Sequence, residues 1–261
     1  MIGPGNLFLK YDHLMGLTIH YTLQAPPTAT RDALTAHLES AREFAKLLPF
    51  ESVSEIDHFS EDDFTDAEED DWHWAKIQAS IYHSFDDEHY HSIEPLEATI
   101  FRVVVGAGCE HANFGFARYP ESVVLEGKTV QTEIDGWQRS SFCKTQYANQ
   151  YGVNHFYRCH LSIAAMLDYF KSLGVVKSVT DEGGYYDQRD LNVLRAELEK
   201  YDALIAAMAG SLMDNFDSVE APILSRPDFE HLEMKGLELN PHLEELVKLI
   251  QQIKATTHPR G

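Results

Sequence analysis

Asp181-Glu182-Gly183-Gly184-Tyr185-Tyr186 sets two carboxylates against two glycines at the end of an apolar run. Neighbouring side chains on a strand face opposite ways, so one carboxylate enters a given pocket unless the chain bends at Gly183. Glycine permits that bend, and two carboxylates brought together raise the pKa of one into the range of acid–base chemistry. The competing reading is a solvated strand-to-helix connection, with Asp187 or Asp190 near the next helix start for dipole reasons.

A second group is Asn154-His155-Phe156-Tyr157-Arg158-Cys159-His160. His155 and Cys159, four apart, share a helix face. His160 lies about 140° round from His155, so the two histidines form no i,i+4 metal pair. Flanked on an apolar stripe by Phe156 and Ile163, His160 is either a buried, hydrogen-bonded core residue or an acid–base residue or ligand facing a sheet. In Trp137–Tyr147, Cys143 precedes Lys144. Strand neighbours diverge, which weakens activation of the thiol by the lysine, and a cysteine nucleophile needs a base that only the tertiary fold could supply from His155 or His160. The plainer reading is a packed thiol with Lys144 in solvent.

Gly106–Gly115 carries Cys109, Glu110, His111 and Asn113 among three glycines. It has neither the GK[ST] ending of a phosphate loop nor GxGxxG opening a helix, so a glycine-rich connection competes with a site. His83, His89 and His91 beside Asp86, Asp87 and Glu88 offer transition-metal ligand types, although exposed clusters of this kind bind metal weakly. Glu61–Asp71 holds eight carboxylates in eleven residues, without the spacing of an EF-hand. It reads as a solvated acidic loop.

The elements that must position these groups follow from periodicity. Leu17–Leu23 alternates, with Leu17, Ile19, Tyr21 and Leu23 on one face and His20 on the other, as in a half-buried strand. Thr30 caps a helix to about Leu48, and Phe50–Phe59 and Lys76–Phe85 read as strands, with Asp86–His89 as a hairpin turn. Ala98–Val105 is apolar except at Arg102, which suits a central strand covered on both faces. Phe114–Tyr119, Ser122–Glu126, Thr129–Ile134 and Gln138–Tyr147 continue as short strands. The period then lengthens. Asn154 is an N-cap for a helix striped by Phe156, Cys159, His160, Ile163, Leu167 and Phe170 and closed by Gly174. After a strand at Val175–Thr180, a helix over Gln188–Asp214 carries a narrow seam from Leu191 to Leu212 that asks for one packing partner, and a last helix spans Pro241–Lys254. Strands first and helices later predict an α+β fold, a mostly antiparallel mixed sheet backed by helices, in one layer-type domain over residues 15–261. Met1–Leu14 lacks the features of a secretory signal and is expected to be an extension outside that domain.

The 261 residues are 44% hydrophobic and 24% charged, enough apolar material for a core. The net charge of −21 argues against nucleic-acid binding and adsorption to anionic membrane. Three cysteines without a CxxC pair suggest a reducing, cytoplasmic setting. The acidity is local. Glu51–Glu94 carries −14 of the charge, whereas Pro95–Lys200, with most of the candidate groups, carries −2. A small anionic ligand near Arg102, Arg118, Lys144 or Arg158 is therefore compatible with the composition.

Taken together, LTIHYTL, GCEHANFG with Tyr119-Pro120, SFCKTQYA, HFYRCHL and SVTDEGGY resemble a family of uncharacterised bacterial proteins, over about Met15–Gly236. The resemblance implies no activity, so the expectations rest on residue chemistry. They are an enzyme, a hydrolase acting on a small polar substrate by acid–base or metal-assisted chemistry, with a divalent metal as its open cofactor. Cys143, His155, His160, Asp181 and Glu182 are the catalytic candidates. In the sharpest form, Asp181 or Glu182 is base or ligand, His160 carries the proton, and Lys144 or Arg158 holds an anionic group. His20, Glu110 and Asn113 complete the substrate-binding set. The alternative is a non-catalytic binding or assembly protein, with the acidic segment engaging a basic partner and the 191–212 seam packing on another subunit of a homo-oligomer.

Overall fold

The computed structural model describes residues 17–65, 75, 77–84, 88–213 and 221–240. The chain forms two compact units, one of Thr18–Asp181 and one of Glu182 onward together with Leu17.

The first unit is built on a six-stranded antiparallel sheet backed by helices, as the sequence predicts for an α+β fold. Its strands are β1 (Thr18–Gln24), β2 (Ser52–Ser60), β5 (Glu97–Val104), β6 (Ala112–Arg118), β9 (Trp137–Lys144) and β10 (Val176–Asp181), in the order β10-β1-β9-β6-β5-β2. Two further hairpins pair β3 (Ala79–Ser84) with β4 (Glu88–Ile93), and β7 (Ser122–Leu125) with β8 (Lys128–Gln131).

Strand alternation sends Ile19, Tyr21 and Leu23 to the face covered by α1 (Arg31–Ala45) and α3 (Val153–Ser172). Thr30 caps α1, its hydroxyl accepting from the amide of Ala33 at 3.3 Å, and Leu34, Leu38, Ala41 and Ala45 form its buried stripe. Phe114 joins the layers: its ring lies 5.3 Å from Tyr21, 5.7 Å from Phe101 and 5.4 Å from Phe170 of α3. The stripe of α3 is buried throughout. Its N-cap is Gly152, so Asn154 falls inside the first turn instead of capping it.

The other face of β5 and β6 is covered too, as the apolar run predicts. Ala98, Ile100, Ala117 and Tyr119 pack there with Phe64, Ala75, Ile77 and Ile93 from the stretch between β2 and β5. The first five residues of the acidic run form the short helix α2 (Glu61–Thr65), whereas 66–71 lie outside the described residues, as do the extension at 1–14, the hairpin tip at 85–87 and the helix expected at 241–254. Arg139 is 1% exposed where the β6–β9 pairing ends; it donates to the carbonyls of Asn113, at 2.6 Å, and Ala75.

In the second unit the helix expected over 188–214 forms, starting three residues later and after a separate short helix. A short α4 (Tyr185–Gln188) ends at Arg189 in the left-handed region, and Asp190 then accepts from the amide of Asn192 at 2.8 Å to start α5 (Leu191–Met213). A helix absent from the sequence reading, α6 (Phe229–Leu239), packs on the alanine face of α5, where a Cβ at Gly236 would lie 2.6 Å from the Cβ of Ala207 and overlap the Ala203 carbonyl. Among the described residues no helix is long and apolar enough to cross a membrane.

Candidate functional site

Two segments of the first unit meet beyond the end of β5. One is the loop after that strand, where the Cys109 amide donates to the Gly106 carbonyl at 3.0 Å to close a tight turn. The other is the first two turns of α3. Glycines allow the contact. A Cβ at Gly106 would lie 2.8 Å from Cys159 Sγ and 3.1 Å from His155 Cε1, and a Cβ at Gly108 would press into the backbone of Tyr147.

The i,i+4 relation predicted for His155 and Cys159 holds, with Sγ 3.6 Å from His155 Nε2. His155 Nε2 also lies 2.8 Å from the Ala107 carbonyl oxygen, and Arg158 Nη2 lies 2.8 Å from Nδ1. A guanidinium only donates, so Nδ1 is the acceptor and Nε2 carries the hydrogen that points at the carbonyl and the sulfur. The protonated Cys159 thiol can donate to the Val105 carbonyl at 3.8 Å, and Cys109 adds a side-chain hydrogen bond to the same sulfur.

This environment lowers the Cys159 thiol to about 7. Donation from Cys109 is the main cause; it outweighs desolvation and is reinforced by His155 and Arg158. Cys109 moves the opposite way. Its hydrogen bond to Cys159 and its burial hold it protonated, with the nearby Cys159, Cys143 and Glu51 adding to the effect. The two thiols therefore titrate as a pair, with the negative charge favoured on Cys159, the sulfur beside the Arg158 guanidinium. Cys159 is 1% exposed, whereas Cys109 is partly open to solvent.

The other expected residues are distributed as follows. Cys143 is fully buried and near enough to influence Cys109, and its thiol donates to the Glu110 carbonyl at 3.3 Å. Glu110 belongs to the same loop, its amide donating to the Lys144 carbonyl at 2.9 Å. Lys144 follows Cys143 on β9 and so faces the other way. His160 turns into the core. Its Nε2 is 3.2 Å from the Asp181 carboxylate and its Nδ1 2.9 Å from the Thr145 hydroxyl, in an enclosed chain of hydrogen bonds. Of its two readings, that geometry matches the buried, hydrogen-bonded core histidine. Asn113 is buried in β6, with its carbonyl accepting from Tyr21 and Arg139 and its amide 3.4 Å from the Ala75 carbonyl.

His20 projects from the opposite sheet face. It lines an open groove of about 200 Å³ with Thr22, Ser140, Phe142, Ser178 and Thr180. Glu182 belongs to the second unit, where its charge, after burial, helps to raise the Tyr201 phenol to about 12. Of the histidine cluster, His91 is described on β4, while the side chains of His83 and His89 lie outside the described residues. No group of three His, Cys, Asp or Glu side chains gathers to hold a metal ion among the described residues.

Sequence spacing thus joins His155 to Cys159 and places Arg158 beside them, but nothing local links Cys109 to a helix fifty residues away. The available signal was the pair of glycines before Cys109, which marks a loop built for close approach. Compared with family models, curated proteins and solved structures, the chain gives no match.

Proposed function

We propose that the protein is an enzyme that acts on a small polar substrate through the thiolate of Cys159. The observation that carries this reading is the convergence of Cys109, Arg158 and the His155 ring on one sulfur. An ordinary cysteine is mostly protonated at neutral pH; one at about 7 is half thiolate, the form that attacks electrophiles. His155 orients and donates, because its Nε2 carries the hydrogen and its Nδ1 is taken by Arg158. Arg158 is exposed beyond these contacts, which suits it to draw in an anionic or strongly polar group. The His160–Asp181 pair fixes α3 against β10 and so holds Cys159 in place. Free thiols at the site agree with a reducing compartment such as the cytoplasm.

The test is turnover of small acyl esters, amides and hydroperoxides by the purified full chain and by Cys159→Ser. The expected result is turnover lost in the folded variant. Turnover surviving in Cys159→Ser would overturn the assignment.

A further inference from the structure

A lone activated thiolate would need only its cation and its ring. Here a second thiol is placed against it, on a turn that glycines let lie on α3, and that thiol is partly open to solvent while Cys159 is not. We infer that Cys109 and Cys159 are a dithiol–disulfide couple that reduces hydroperoxides, with Cys159 as the sulfur that reacts with peroxide and Cys109 as the sulfur that resolves it. The inference rests on the reading of Cys159 as the reacting group and names its substrate class.

Three features support it. At a sulfur that is 1% exposed, the smallest electrophiles have the advantage over acyl or glycosyl groups, and hydrogen peroxide is little larger than water. The Arg158 guanidinium and the His155 N–H beside Sγ can also donate to the peroxide oxygens as negative charge develops there. Cys109 in turn waits in hydrogen-bond contact with the sulfur it must attack, and its partial exposure lets an external thiol reach the resulting disulfide.

The steps balance. Cys159 thiolate attacks one peroxide oxygen; the S–O bond forms and the O–O bond breaks. The departing hydroxide or alkoxide takes up the proton that Cys159 released on ionising, and the sulfur, oxidised by two electrons, becomes a sulfenic acid. Cys109 sulfur then attacks Cys159 sulfur. The S–S bond forms, the S–O bond breaks, and hydroxide leaves as water with the Cys109 proton. A small dithiol restores both thiols by exchange and leaves as its own disulfide.

The test mixes the pre-reduced full chain with one equivalent of hydrogen peroxide near neutral pH, without reductant. Peroxide loss is followed in time and the cysteine linkages by peptide mass spectrometry. Ionisation makes half of Cys159 thiolate against a few per cent of free cysteine, a gain of roughly 15-fold, of which the lower basicity of the thiolate takes back about fivefold, so consumption should be about threefold or more faster than for free cysteine. The product should be a Cys109–Cys159 disulfide. Cys109→Ser should stop at a Cys159 sulfenic acid that dimedone traps. A rate no faster than free cysteine, a link to Cys143 in place of Cys109, or sulfenic acid persisting in the unaltered chain would overturn the inference. Titration of the Cys159 thiol by its ultraviolet thiolate absorbance, run on the same samples, separates the two failures. A thiol ionised near neutrality but inert to peroxide sinks only the peroxide chemistry; one that titrates as ordinary cysteine sinks the proposed function as well.

Discussion

Replacing Cys109 by alanine removes the hydrogen that the Cys159 sulfur receives while leaving α3, His155 and Arg158 in place. The Cys159 thiol stands at about 7 against an ordinary value of 9.0. At about 1.4 kcal/mol per pH unit, that gap corresponds to roughly 3 kcal/mol favouring the thiolate. The Cys109 donor leads the causes and desolvation opposes it. Without Cys109, desolvation faces only His155 and Arg158, and Arg158 is exposed and screened by solvent. The Cys159 midpoint should therefore rise by more than about one pH unit, leaving at least about fivefold less thiolate at neutral pH. Cys109→Ser keeps a donor at the same place and should hold the midpoint within about half a unit of the unaltered chain. The assay is the rate of iodoacetamide labelling of Cys159 against pH, read by peptide mass spectrometry. A midpoint that stays near 7 in Cys109→Ala, or one that rises equally in the serine variant, would refute the account of what holds the charge.

Three other outcomes follow from the same geometry. Gly106→Ala puts a Cβ 2.8 Å from Cys159 Sγ, so the sulfur must shift; denaturant melts should show a loss of about 1–3 kcal/mol, and the Cys159 labelling midpoint should rise. Gly236→Ala drives a Cβ into the Ala203 carbonyl and Ala207, and should lower the stability of the helical unit by at least about 1–3 kcal/mol in circular-dichroism melts, with Cys159 labelling unchanged. Burial raises the Tyr21 and Tyr119 phenols from 10.0 to about 12. Groups raised in the folded state stabilise it below their unfolded value and lose that contribution as pH climbs toward the folded one. The unfolding free energy should thus fall between about pH 10 and 12, by up to about 3 kcal/mol per tyrosine; a urea midpoint that stays constant across that range would contradict the burial.

Much of the first unit was legible where one period dominates. The alternation of Ile19, Tyr21 and Leu23, the apolar run at Ala98–Val105 and the stripe from Phe156 to Phe170 each encode which face is buried. The second unit was less legible, for two physical reasons. The short α4 and the delayed start of α5 depend on Arg189, a left-handed residue that is not glycine, and α6 packs through close backbone approach at Gly236, which leaves only Leu232 as a buried large apolar side chain along it. At the site, the i,i+4 pair His155 and Cys159 could be read from spacing because a helix makes it local. The partner thiol could not. Cys109 meets Cys159 only because the sheet carries the β5 loop to the start of α3, and the thiol singled out by its neighbouring lysine, Cys143, points away from that lysine into the core. His160 and Asp181 also meet through the fold, in an enclosed pair.

The central claim is that Cys159 is a thiolate at neutral pH, and the most direct measurement is the ultraviolet thiolate absorbance of the reduced full chain against pH, with that of Cys159→Ser subtracted. A difference signal rising by one thiolate per chain with a midpoint near 7 is the result the account predicts. A difference signal that rises only at or above the ordinary thiol range, about 8.5–9, would contradict it.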